Sequence, residues 1–357
     1  MKLMVVLGAG ASYDSIPERH ALHLESRPPL ANGLFDAKPN YARHLLDLQF
    51  AAAIASRGRA SVESGRPLEQ FLEELRSEAE RDPVRLKQLL AVKFYLRAIL
   101  RESDATWMQD SGGATNYAAL VDIIESCRLS TGGSVCYVTF NYDMLLEHGL
   151  ATRGTQIGDL SSYVNGPTPL FKVHGSITWG QVVTCDQLPL LQRVEPKMLC
   201  ELADRLHDTD DYVVAYGELQ GQSGSGAVVV PAIAVPTMSK YSFACPPSHI
   251  EALKAALPEV GGIVTIGWRG AEEHFLRLLG DNLGHQVSAL VVSGSQTGCS
   301  DTAANLTRAG VGISGKFDRG FTELLEDDVP GPGRGQVLRT FVSSVLRQGR
   351  PGDDPVT

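Results

Sequence analysis

No two of the six cysteines, Cys127, Cys136, Cys185, Cys200, Cys245 and Cys299, stand in a C-x-x-C pair. A structural zinc site normally uses two such short spacings, so no metal is expected. Six thiols are an ordinary number for 357 residues. They read as reduced and mostly buried, in a cytoplasmic protein. The chain also lacks any run of about eighteen apolar residues, which excludes a membrane-spanning helix of the usual length. It lacks an excess of positive charge. A formal net charge of −9 at pH 7 argues against a large sequence-independent nucleic-acid surface. Neither a membrane nor direct nucleic-acid binding is therefore expected. No internal repeat is present, which sets aside solenoids and propellers.

What the chain has is core material. Hydrophobic residues make up 43% of it, enough for one large domain or two ordinary ones, and global disorder is not expected. The stretch from Met1 to Leu7 begins like a signal peptide. Its apolar run is too short, however, and breaks at once into Gly8-Ala9-Gly10, so a buried first strand is the better reading.

The order of elements sets the fold class. Residues 3–7 read as a strand followed by a glycine turn. Residues 13–40, with Pro17, Pro28, Pro29 and Asn32-Gly33, read as an irregular loop with a short helix around Leu34. Residues 41–127 read as almost wholly helical: Leu68, Phe71, Leu72 and Leu75 share one face. Leu86, Leu89, Leu90, Phe94 and Ile99 continue the pattern after Asp82-Pro83, a cap followed by proline at the first helical position. A third helix is expected from Tyr117 to Cys127. Beyond Ser134, strands are expected at 135–140, 169–173, 227–231, 262–267 and 288–293. Helices are expected at 248–257 and 271–279, and a last one over Val337–Leu346 leads into a polar tail. Residues 180–225 give no clear pattern and contain a Gly/Ser-rich segment, 221–226, expected as a mobile loop. Strands alternating with helices predict an α/β fold: a doubly wound, Rossmann-like parallel sheet with right-handed crossovers. Residues 1–40 and 128–330 would form the dinucleotide-type domain and 41–127 an inserted helical subdomain. Residues 331–357 would form the C-terminal helix and flexible tail.

Three motifs carry chemistry. The first strand runs into Gly8-Ala9-Gly10-Ala11-Ser12, where backbone N–H groups approach a pyrophosphate at a helix start and Ser12 adds a hydroxyl. Position 13 is Tyr where the dinucleotide fingerprint has its third glycine, so the same turn also fits a tight connection with no ligand. Thr139-Phe140-Asn141-Tyr142-Asp143 follows a strand, where doubly wound sheets place ligand contacts. The carboxamide of Asn141 both donates and accepts, which suits ribose hydroxyls or a water. Asp143 fits a helix cap as well as a ligand contact, and Tyr142 fits packing. Val173-His174-Gly175-Ser176 turns sharply after a strand, so the His174 ring should face the crevice with a pKa suited to general-base work. His274, beside Glu272 and Glu273, is the one rival histidine.

Gly-Ala-Gly-Ala-Ser, Thr-x-Asn-x-Asp and His-Gly-Ser in this order resemble the sirtuin superfamily. The variant Asn-Tyr-Asp with Lys-Val-His-Gly-Ser is similar to the prokaryotic sirtuin-like proteins of antiviral defence, such as those of Thoeris-type systems. The likeness extends to Ile266-Gly267-Trp268-Arg269, where sirtuins carry a glycine-led turn against the cofactor's adenosine part, and spans roughly residues 3–310. Two departures stand out. The paired cysteines of the deacetylases' zinc ribbon are missing. Ser15-Ile16-Pro17-Glu18-Arg19-His20 keeps a proline but not the phenylalanine that shields the nicotinamide–ribose bond. Both favour water over acyl-lysine as the acceptor.

The resemblance implies a sirtuin-type sheet and NAD as substrate. Gly8, Ala9, Gly10, Ala11, Ser12, Asp14, Asp143, Gly267 and Trp268 would bind it, and Asn141 and His174 would be catalytic. Cleavage passes through an oxocarbenium-like state and nicotinamide leaves as a neutral base, so no strong general acid is required. The products would be nicotinamide and ADP-ribose or a cyclised ADP-ribose. An NAD-depleting enzyme harms its own cell, so control is expected. That control would come from a homo-oligomer or from a partner protein of the defence system, an ATPase/translocase or Argonaute-type subunit. Two alternatives stay open: NAD-dependent deacylation or ADP-ribosyl transfer, and a non-catalytic subunit that senses NAD or ADP-ribose.

Overall fold

The computed structural model describes residues 1–17, 23–185, 194–219, 227–237, 243–326 and 335–348. The 221–226 segment, residues 18–20 and the tail from 349 onward therefore lie outside the described residues. Nine strands are described: β1 (Lys2–Leu7), β2 (Ser134–Thr139), β3 (Leu170–Lys172), β4 (Gly175–Thr184), β5 (His207–Val214), β6 (Ala227–Ile233), β7 (Val260–Ile266), β8 (Ser288–Val292) and β9 (Gly312–Phe317). Six of them form a sheet in the order β3-β2-β1-β7-β8-β9. Every pair in it is parallel. Counted among themselves these strands run 3-2-1-4-5-6, the doubly wound order. The fold class expected from the alternation of elements is the one found.

Except for the edge strand β9, the parallel strands read as largely apolar runs because helices cover both faces. Leu3, Val5 and Leu7 of β1 point to one face and Met4 and Val6 to the other, and all five are fully buried. On the first face lie α6 (Asn116–Thr131), α13 (Gly320–Glu326) and α14 (Gln336–Arg347). On the second lie α10 (Pro247–Ala256), α11 (Glu273–Asn282) and α12 (Gln296–Arg308). Close packing leaves its mark at Gly262, where an added Cβ would lie 2.3 Å from Val345 of α14.

A second core is built from α2 (Pro39–Leu46), α3 (Gln49–Glu63), α4 (Leu68–Ala79) and α5 (Pro83–Ser111), together with α9 (Pro196–Glu201). These pack on a three-stranded antiparallel sheet in the order β5-β4-β6. Asp82 caps α5 by accepting from Val84 N at 2.8 Å, and Pro83 is its first residue.

The antiparallel sheet has no counterpart in the pattern of the sequence. β6, expected among the parallel strands, pairs with β4 instead. It also continues through Pro231, which an edge strand tolerates because one side of its backbone needs no ladder partner. β5 carries His207, Asp208, Asp210 and Asp211, residues that seldom mark a strand. β4 is buried on both faces over its first six residues, so no alternation announces it. β9, α12 and α13 were likewise not expected. All six cysteines are free and buried. No described helix is long and apolar enough to cross a membrane.

Candidate functional site

The strand order reverses between β1 and β7, and the two turns at their carboxyl ends meet there. Gly8 N donates to Ile266 O at 3.1 Å and Gly10 N to Gly267 O at 3.0 Å. A Cβ on Gly8 would lie 2.6 Å from Gly267 O, and one on Gly267 would lie 2.2 Å from Ala11 N. Gly267 also has φ +60°, a conformation that costs any other residue. These glycines therefore serve backbone-on-backbone packing. Three amides of the turn, those of Gly8, Gly10 and Ala11, are already bonded within the protein. No described backbone bond uses Ala9 N–H, and Ala9 is the exposed residue of the turn.

Asn141 lies just past β2 and reaches back over this turn. Its Nδ2 donates to Gly8 O at 2.9 Å, to Ser12 Oγ at 2.9 Å and to Tyr117 OH at 3.0 Å. None of these bonds uses Oδ1. Ser12 Oγ donates to Asp143 Oδ2 at 2.6 Å and lies 2.9 Å from Tyr117 OH. With its proton committed to Asp143, Ser12 accepts from Tyr117. Ser12, Asn141, Tyr117 and Asp143 thus close one buried network from the turns that follow β1 and β2 and from α6. Tyr117, read from the sequence only as the start of a helix, gave no local sign of this role. Burial, then the nearby Asp143 charge, holds its phenol well above the usual range.

Asp143 is nearly fully buried, and burial pushes its carboxyl up to about 6. The Lys172 ammonium opposes that rise, while the Asp104 and Glu147 charges add to it. Its second oxygen accepts from Leu145 N at 3.2 Å, at the start of α7 (Leu145–Ala151). Lys172, buried at the end of β3, lies 2.9 Å from Glu147 Oε1 and donates to the Asp143 carbonyl. Tyr163 OH donates to the same Glu147 oxygen at 3.1 Å.

His174 is fully buried one residue beyond Val173. Its ring meets Phe140 edge-on, with centroids 4.8 Å apart, and stacks with His274 at 5.9 Å. The two histidines the sequence set against each other are thus neighbours. Gly175, at φ +85°, makes the sharp turn into β4: a Cβ there would lie 1.8 Å from Ala232 O. Trp268 stacks flat on Phe140 at 5.4 Å, and its Nε1 donates to Glu272 Oε2 at 2.6 Å. Asp14 faces away from this group. Its Oδ2 accepts from Phe321 N at 2.7 Å and Thr322 N at 3.0 Å, which caps α13. Among the described residues, no group of three His, Cys, Asp or Glu is arranged to hold a metal ion.

Fold and site together define an α/β protein of the doubly wound class whose polar groups gather at the carboxyl edge of β1, β2 and β3. No family model matches the sequence, and no curated protein matches it. Among solved structures, the chain is similar to a Sir2 homologue in complex with NAD. That match has 14% identity over 96% of this chain and 89% of that chain, with a TM-score of 0.42. It is also similar to a variant Sir2 homologue bound to ADP-ribose, with 13% identity over 96% and 91% of the two chains and a TM-score of 0.36. A further Sir2 enzyme gives 13% identity over 98% and 94%, with a TM-score of 0.38.

Proposed function

We propose that this protein is an NAD+ glycohydrolase that cleaves the nicotinamide–ribose bond. One observation carries the reading: Asn141 is bonded directly to the Gly8–Ser12 turn, while Phe140 beside it touches the ring of His174. A ligand-side carboxamide and a base candidate thus share the edge where doubly wound sheets hold nucleotides. The Ala9 amide would meet the pyrophosphate. With Nδ2 anchored, Oδ1 of Asn141 would orient a ribose hydroxyl or a water. His174 would accept the proton released as the water oxygen bonds to the anomeric carbon and the carbon–nitrogen bond breaks. Nicotinamide leaves with the bonding pair as a neutral base, and ADP-ribose is the second product. Gly267 and Trp268 would flank the adenosine end, and Asp14 would support the rim through α13.

Ser12, Asn141 and His174 are all buried in this structure. Substrate entry therefore requires the rim to open, which fits an effector held inactive until triggered. In that reading the trigger is self-assembly or a partner protein of an antiviral system, and the outcome is depletion of NAD.

The test is NAD turnover by the purified protein, alone and with candidate partners, with chromatography of the products. Wild type should release nicotinamide and ADP-ribose. Asn141→Ala and His174→Ala should each lose about 100-fold or more in kcat. NAD that binds but is never cleaved under any of these conditions would make the protein a sensor. Modified lysine or protein products would make it a transferase.

A further inference from the structure

Three side chains near the end of the long helix α5 bond to other segments, and two of them reach the loops that build the candidate site. Ser103 Oγ donates to Ser26 O at 2.6 Å. Trp107 Nε1 donates to Ser15 Oγ at 2.8 Å, and Ser15 Oγ in turn donates to Ser12 O at 2.7 Å. Asp104 Oδ1 accepts from Met144 N at 2.9 Å. The third of these contacts concerns chemistry. Residues 141–144 make the turn between β2 and α7, and the first amides of a helix have no partner of their own. Leu145 N is met by Asp143 from within the turn, and Met144 N is met by Asp104 from another part of the chain.

We propose that Asp104 is a positioning residue for Asn141: by holding Met144 N–H it fixes the Asn141–Met144 turn from the helical core outside the parallel sheet. The proposal rests on the reading of Asn141 as catalytic. An uncharged acceptor would suffice for one backbone amide, yet the residue is a carboxylate that is buried with an exposure of only 8%. Its described ion-pair partner, His148 Nε2, stands 3.9 Å from Oδ2 and reaches solvent. The extra charge has a target. Asp143 is faced by Ser12 of α1 (Ala9–Tyr13), Tyr117 of α6, Lys172 of β3, Glu147 and His148 of α7, and Asp104 of α5. The Asp104 and Glu147 charges and the Lys172 ammonium all act on Asp143, and Asp104 adds to the repulsion that favours a proton there. One residue thereby holds the place of the turn and adds, after burial, to what keeps a proton on Asp143 next to Ser12.

The experiment compares full-length wild type, Asp104→Ala and Asp104→Asn by hydrogen exchange, by titration of the Asp143 carboxyl with carbon NMR, and by NAD turnover. Alanine removes the acceptor, so amide exchange over 141–146 should rise about tenfold while strand β7 stays protected. Asparagine keeps an oxygen on Met144 N, so exchange there should stay near wild type. It removes the charge, so Asp143 should titrate at lower pH than in wild type. In turnover, Asp104→Ala should lose about tenfold in kcat with KM for NAD within about twofold, and Asp104→Asn should recover most of the loss. Wild-type exchange over 141–146 in Asp104→Ala overturns the proposal. An Asp143 titration that does not move in Asp104→Asn overturns the electrostatic part and leaves the turn contact to the exchange result. Absence of turnover in wild type, alone and with candidate partners, would instead count against the glycohydrolase reading, and the exchange result would still decide whether Asp104 holds the turn.

Discussion

Asp143 is a carboxyl whose folded surroundings favour the wrong charge for neutral pH. Its ordinary value is 3.8, and the fold moves it up to about 6. The folded protein thus binds this proton more tightly than the unfolded chain does. The stabilisation from it is complete at pH values below the ordinary one, falls as pH rises between the two, and is gone above about pH 6. The shift amounts to roughly 3 kcal/mol. Asp143→Asn carries no such charge, so relative to wild type it should gain stability on going from pH 4 to pH 7. Urea unfolding of both proteins at four pH values measures this. Parallel curves would mean that Asp143 is better solvated than its burial implies. Asn141 and His174 were legible as residues because strand-end positions with a polar side chain are conspicuous in a doubly wound pattern. Tyr117, Asp104 and the stacking of His274 on His174 were not. Each reaches the site from a helix remote in sequence, and no local spacing encodes that meeting.

At the scale of elements, the joint between the β1 turn and the β7 turn is tightly constrained. Gly267→Ala would add a Cβ 2.2 Å from Ala11 N at a φ that L-residues avoid. The cost should be roughly 2–4 kcal/mol. A thermal melt within a degree of wild type would show that the joint can relax. Five of the six parallel strands and α5 were readable because their signals are local: apolar runs for the first, and Asp82-Pro83 for the second. β9, Gly312-Ile313-Ser314-Gly315-Lys316-Phe317, lacks such a run and was not. The antiparallel sheet was not. Its central strand is buried on both sides at its start and one edge is acidic, so the usual strand marks are missing there; the other edge was read as a strand at 227–231 but placed in the parallel sheet.

For the whole molecule, α5 matters more than its place in the chain suggests. Its 29 residues span about 43 Å. Leu90 to Leu100 belong to the helical and antiparallel core, while Trp107 belongs to the core under the parallel sheet. A helix shared in this way should make the two cores unfold together. Denaturation followed by tryptophan fluorescence, which reports on Trp107, Trp179 and Trp268, should coincide with denaturation followed by far-ultraviolet circular dichroism. Two separate midpoints would mean that α5 breaks between its halves.

The buried cysteines give the same question a clock. Cys136 lies within β2, Cys200 in α9 and Cys245 just before α10, and burial pushes each thiol up to about 12. Neutral, shielded thiols do not react with an alkylating reagent until the chain around them opens. The native protein thus carries its own set of timed labels. The order in which Cys200 and Cys136 become modified under native conditions would tell which core breathes first, with no engineered probe to disturb either one.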